Sequence, residues 1–170
     1  VQERGIPCFG VEPTDSTADA ADGIGIAVER AFLTELTARE IVDRHGQADL
    51  VVANNVIAHV PDVVDFARGL ALLAKPEGAI SLEFAYGVNL VRDGQFVTVY
   101  HEHFSYLTLT SLSAVLELAG LVAVDVDGIS THGGSLRVFA QHEASGLLGV
   151  KPIISETLAL ETDLGAAGVP

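Results

Sequence analysis

The sequence has no Met and no Trp, one Cys, and only nine Lys and Arg among its 170 residues. The single thiol, Cys8, rules out an internal disulfide and suits a reducing compartment such as the cytoplasm. It also excludes a structural zinc site built from several thiolates within these residues. The few bases stand against 23 Asp and Glu, for a net charge of −14. Such a balance repels phosphate backbones and disfavours nucleic acid as a partner. An anionic sugar nucleotide would need a local pocket of bases or backbone amides working against the overall field. Apolar runs are short: none approaches the ~18 residues that span a bilayer, so no membrane partner is expected. No basic stretch precedes a short apolar segment in the manner of a secretory signal. The lack of Met extends to position 1, so Val1 is not expected to be a natural start. With 49% hydrophobic residues, a sizeable core is within reach, as one domain or part of a larger one.

Local patterns alternate between strand and helix. Residues 6–12, ending in Glu12, read as a buried strand stopped by Pro13. Thr14, Asp15 and Ser16 then offer N-cap chemistry for a short helix. Residues 23–27 allow a second brief strand, and 34–44 a helix closed by Gly46. The aliphatic run 48–53 reads as a parallel strand covered on both faces. A helix starts at 60–62, with Val63, Phe66, Leu70 and Leu73 as its apolar stripe, and 79–84 is the next strand. Residues 86–109 are aromatic and irregular. A helix over 110–119 is stopped by Gly120. Strands over 121–126 and 135–141 follow, separated by the turn-like His132-Gly133-Gly134. The alternation predicts an α/β fold with a doubly wound, mostly parallel sheet, and the last two strands predict an antiparallel edge hairpin. Residues 1–145 form this core; 146–170 read as a connector and, over 151–164, a helix opening a further domain.

Three places carry chemistry. Glu12 is an acid at the carboxyl end of an early strand, where nucleotide-binding sheets hold ribose hydroxyls; the bland alternative is a surface acid opening a turn. A glycine-rich cofactor loop normally precedes such an acid, and the residues ahead of Cys8 leave no room for one. That loop is expected either upstream or nowhere. Ala53, Asn54 and Asn55 begin at the same sheet edge. The two amides, costly to bury unpaired, should meet a ligand or local backbone. His59 lies a few residues beyond, entering a helix. The densest cluster is Tyr100-His101-Glu102-His103-Phe104-Ser105-Tyr106. Imidazoles titrate near neutrality, and a neighbouring carboxylate fixes their charge or tautomer, which suits acid–base catalysis. An extended segment would instead put His101 and His103 on one face like a metal-ligand pair, and plain packing is a third reading. No third metal ligand is evident nearby, and no metal is assigned.

Taken together, Glu12-Pro13 and the stretches ADLVVANNVIAHVPD, KPEGAISLEF, QFVTVYHEHFSYLTL and HGGSLRVFA resemble, in order, the S-adenosylmethionine-dependent sugar C-methyltransferases. The likeness covers roughly residues 5 to 145. It implies a Rossmann-like class I methyltransferase core lacking its first strand and cofactor loop. It also implies an amino-terminal zinc-binding domain and a carboxy-terminal Rossmann-like domain beyond these residues. The implied cofactor is S-adenosylmethionine, and the implied substrate is a nucleotide-linked deoxy-keto-sugar. By position, Glu12 matches the ribose-binding acid, and Ala53 and Asn54, beside Asn55, match the lining of the methionine end. His103 matches the general base, and Tyr100, Glu102 and His59 match its companions. Strand periodicity puts Tyr100 and Glu102 opposite His103, so the resemblance requires a bend there. Two other readings remain: a dehydrogenase-like or sugar-nucleotide-binding module, and a non-catalytic remnant.

Overall fold

The computed structural model describes residues 4–95, 99–130 and 133–166. His132, read as part of the glycine turn, lies outside them. Along the chain come β1 (Phe9–Val11), α1 (Asp15–Gly23), β2 (Ala27–Glu29), α2 (Glu35–His45), β3 (Ala48–Asn54), a 3-10 turn (Ile57–His59), α3 (Val63–Leu73) and β4 (Ala74–Ala85). Then follow α4 (Gly87–Arg92), α5 (Leu109–Leu118), β5 (Leu121–Ile129), β6 (Ser135–His142) and α6 (Pro152–Asp163). The expected α/β class and the edge hairpin both form. The strands make a two-stranded sheet, β1-β2, and a four-stranded sheet, β3-β4-β6-β5. Pairing is parallel for β1 with β2 and β3 with β4, and antiparallel for β4 with β6 and β5 with β6. The result is a mixed sheet.

Caps set several helix starts. Thr34 accepts from the Thr37 N–H while Thr37 reaches back to the Thr34 N–H, a reciprocal capping box, and Thr108 and Ser111 repeat it at α5. Asp62 caps α3 through the Val64 and Asp65 N–H groups, at 3.1 and 2.9 Å. The predicted stripe then works as expected: Phe66 and Leu70 of α3 meet Leu109, Leu112 and Leu116 of α5 over Leu82, Phe84, Leu136 and Val138 of the sheet. Burying each such side chain contributes about 1.5–3 kcal/mol.

Three expectations are corrected. The first strand is not buried along 6–12: only Phe9–Val11 pair, half-exposed, because β2 is their one strand partner among the described residues. The run 48–53 is not covered on both faces. Leu50 and Val52 are 57% and 55% exposed while Val51 and Ala53 turn inward, because among the described residues β3 is an edge strand packed against apolar clusters on one face. The strand expected at 79–84 begins at Ala74. Its register jumps from Ala48–Ala74 to Leu50–Ala79, which loops out Lys75, Pro76 and Glu77 and absorbs a proline that a regular ladder would reject. Gly78 closes this irregularity; a Cβ there would meet the Ala48 carbonyl at 2.9 Å.

The stretch expected to be a connector and the opening of another domain supplies α6, which packs on this same core. Ile154 joins the main cluster, Leu158 packs against it, and the Lys151 N–H donates to the Val124 carbonyl at 2.9 Å.

Candidate active site

Both βα turns that bear site residues open at carboxyl strand ends. Beyond β3, Asn55 adopts φ 54, a left-handed conformation that Asn tolerates better than most residues, and its N–H donates to the Glu83 carbonyl at 2.7 Å. This reversal throws the chain into the turn Ile57–His59, anchored by fully buried Ile57. The Ala58 carbonyl of that turn accepts from the N–H groups of Phe104 and Ser105, at 2.8 and 3.3 Å, and pins the aromatic segment over β3 and β4.

The segment is bent where strand periodicity would have kept it straight. The His103 N–H donates to the Tyr100 carbonyl at 3.0 Å, closing a turn that lays Tyr100 over His103. The phenol oxygen sits 2.9 Å from His103 Nε2, and the rings are 4.1 Å apart. His59 stands 4.6 Å from His103 by ring centroids, and Tyr106 meets His103 edge-on at 5.8 Å. Together Asn55, Ala58, His59, Phe84, Ala85, Tyr100 and His103 line a cavity of about 180 Å³. That is below the ~300–1,000 Å³ of whole-ligand sites, so it suits the reacting part of a substrate.

Glu102 acts here through its backbone. Its carbonyl lies 3.0 Å from His59 Nδ1, while its side chain is exposed and without a partner among the described residues. A carbonyl only accepts, so His59 carries its proton on Nδ1 and, when neutral, presents Nε2 as an acceptor. His101 is exposed. Among the described residues, no group of three His, Cys, Asp or Glu is arranged to hold a metal ion.

The residues read as cofactor-binding are placed less uniformly. Asn54 and Asn55 are exposed, not buried, and their amides have no protein partner among the described residues, which leaves them available to a ligand. Ala53 turns its methyl into the main core. Glu12 does not line the His103 cavity. Its Oε1 accepts from the Thr14 N–H at 2.8 Å, tightening the turn into α1, and its N–H donates to the Glu29 carbonyl at 3.0 Å, extending the β1–β2 ladder. One carboxylate oxygen remains for a ligand.

A larger groove, about 490 Å³, lies by Gln47, Arg68 and His142, where β3 and β4 begin. Gln47 there is committed to the carbonyls of Leu72 and Ala74, and His142 Nε2 sits 3.3 Å from the Ala74 carbonyl. Arg68 and Glu35 also line it, but it lies at the amino ends of β3 and β4, whereas ligands of α/β sheets sit beyond carboxyl strand ends, so the smaller cavity is the better site. Sequence reasoning missed Ala58, whose carbonyl is invisible to residue type. It also left Tyr106 as a mere flanking aromatic, although its spacing of three from His103 is the signal a turn would supply.

The fold and this strand-end site define an α/β domain of the Rossmann-like methyltransferase kind. Residues 1–126 match the methyltransferase domain family, and the chain belongs to it. The chain is 38% identical over 166 residues to the C-methyltransferase NovU of Streptomyces niveus, covering 98% of this chain but 39% of that protein. In fold it is similar to a 1,6-didemethyltoxoflavin-N1-methyltransferase of Burkholderia thailandensis, solved with S-adenosylhomocysteine. That likeness has TM-score 0.58 and 17% identity, over 83% of this chain and 63% of that one. It is also similar to a magnesium protoporphyrin IX methyltransferase of Synechocystis PCC 6803, solved with SAH (TM-score 0.58, 16% identity, over 81% and 65% of the two chains). No helix among the described residues is long and apolar enough to cross a membrane.

Proposed function

We propose that this chain is the proton-transfer portion of an S-adenosylmethionine-dependent C-methyltransferase acting next to the ketone of a nucleotide-linked deoxy-keto-sugar. The observation that carries the reading is the Tyr100–His103 pair, 2.9 Å from phenol to imidazole, beside His59 at a carboxyl strand end. The 38% identity to a C-methyltransferase supports the choice of carbon as the methylated atom.

The available groups fit such a cofactor. Glu12 keeps a carboxylate oxygen for ribose hydroxyls, and the free amides of Asn54 and Asn55 offer donors and acceptors to an amino-acid end. When bound, that cofactor supplies an electrophilic methyl on a sulfonium.

A hydrogen on the carbon beside a ketone is weakly acidic, and a base near neutral pKa removes it if charge on the developing enolate oxygen is stabilised. His103 takes that proton. Where the Tyr100 phenol donates to His103 Nε2, that nitrogen takes the substrate proton as the phenol O–H turns away to donate a hydrogen bond to the enolate oxygen, and the phenol keeps its proton. His59, held with its proton on Nδ1, donates to the cavity only as an imidazolium; in neutral form it accepts a sugar hydroxyl. The Glu102 carbonyl keeps His59 in that orientation, and Phe84 and Ala85 shield the cavity floor from water.

The test separates proton removal from methylation. Incubated in deuterium oxide without methyl donor, the full chain should exchange the hydrogen beside the ketone. His103→Ala should abolish that exchange and lower kcat by ~10²–10⁴, the usual share of general-base catalysis, while substrate binding is retained. Equal loss of binding and turnover would remove the base role.

A further inference from the structure

Helix α6 carries an acid where its apolar stripe calls for a leucine. Ile154, Leu158 and Glu161 recur at helical spacing, the first two meet the main core, and Glu161 is 0% exposed. A carboxylate so enclosed is strongly destabilising unless donors surround it. Four do. Oε1 accepts from the Tyr86 hydroxyl at 2.9 Å and the Leu109 N–H at 2.6 Å. Oε2 accepts from the Thr110 N–H at 2.8 Å and the Thr110 hydroxyl at 2.6 Å. Leu109 and Thr110 open α5, so the charge also sits at the positive end of that helix. Thr108 satisfies the Ser111 N–H at 3.2 Å, which completes the first turn.

Where these donors lie matters more than how many there are. Tyr86 directly follows β4, and Leu109 begins α5. Between them runs the segment carrying Tyr100, His103 and Tyr106. Its two roots already touch: Tyr86 and Leu107 form a parallel bridge, and the Gly87 N–H donates to the Leu107 carbonyl at 2.8 Å. Burial and then the Glu161 carboxylate push the Tyr86 phenol well above the ordinary tyrosine range, so it stays protonated and remains a donor.

We infer that Glu161 is a positioning residue for the proton-transfer cluster: a single carboxylate from α6 ties both roots of the 86–109 segment and so sets how the Tyr100–His103 pair stands against His59. The inference rests on the role proposed for His103. The sequence of contacts is continuous: Glu161 to Leu109 and Thr110, through Leu107 to the Ala58-anchored Phe104 and Ser105, and then to His103.

Glu161→Gln in the full chain keeps the shape but turns one acceptor oxygen into an NH₂ facing donors. Expected is a fall of about 10–100-fold in the rate of substrate hydrogen exchange, as when a reacting group shifts by ~1 Å, with keto-sugar binding unchanged. In chains labelled at histidine, the ring signals of His103 and His59 should move while those of remote His45 stay put. Tyr86→Phe removes one of the four donors, should move the same signals less, and serves if Glu161→Gln does not fold. A variant that loses only thermal stability, with the exchange rate and the His59 and His103 signals unmoved, overturns the inference. If the parent chain exchanges no hydrogen beside the ketone yet the ring signals move, the proton-transfer reading fails and the positioning role stands. If the parent is active and the signals do not move, the positioning role falls alone.

Discussion

In the four-stranded half of the molecule, Leu109, Leu112 and Leu116 are fully enclosed between α5 and the sheet. In the β1–β2 half the strands are half-exposed, and their apolar support is a small cluster of Ala38, Ile41 and Leu73 with Phe9 and Val11 against it. Charge fills the gap. Arg30 reaches Asp15, Asp19 and Asp22 at 3.2, 2.6 and 2.9 Å, and Glu29 receives Arg44 and His45 at 2.8 and 2.6 Å while His45 stacks on Phe9. One half relies on dispersion and water exclusion, which ignore salt. The other depends on exposed ion pairs, which are individually weak and screened. The proton-transfer cluster lies in the first half and the candidate ribose acid in the second, so proton chemistry and cofactor grip should respond differently to conditions.

Truncating the enclosed core should have the largest effect. Leu112→Ala is expected to destabilise the chain by about 2–5 kcal/mol, read as a lower urea midpoint for all probes together. A loss confined to the four-stranded half would show that the β1–β2 half does not depend on this core. Smaller is Arg30→Gln, which leaves three aspartates facing each other without their cation. Amide exchange should speed up through α1 and β2 while β4 and β6 keep their protection. Equal loss in both sheets would mean the halves are not separable. The smallest effect is expected with acid. Hydrogen bonds from His45 and then from Arg44 hold the Glu29 carboxyl below its ordinary value. A carboxyl lowered in the folded state contributes stability above its unfolded pKa and loses it as pH falls through the folded one. Exchange in β1 and β2 should therefore rise as pH drops below the ordinary glutamate range, sooner at high salt, while β4 is unaffected.

Much of the fold was legible because local rules and packing agree. Helices start beside Thr34 and Asp62, where the sequence placed them, and Phe66 and Leu70 face the core as their spacing requires, whereas Thr14, where cap chemistry was expected, heads α1 without a side-chain cap. The bare face of β3 was not legible, since Leu50 and Val52 have the same composition whether a helix covers them or not. At the site, the residue types in 100–106 announced proton chemistry. Their arrangement did not follow from period-two reasoning, because a turn between Tyr100 and His103 replaces the strand. His59 meets the Glu102 carbonyl, which every residue possesses, and the Glu102 carboxylate stays exposed. Glu161 could have been found: its spacing from Ile154 and Leu158 places it on the inward stripe of α6.

The side of β3 that faces away from β4 has a consequence for how copies of this chain behave together. Among the described residues, β3 pairs with β4 alone, and its other side, beside Leu50 and Val52, is a template onto which another strand can zip. The acidity that disfavours nucleic acid acts here as a safeguard. At −14 per chain, two such edges repel before their backbones come within reach.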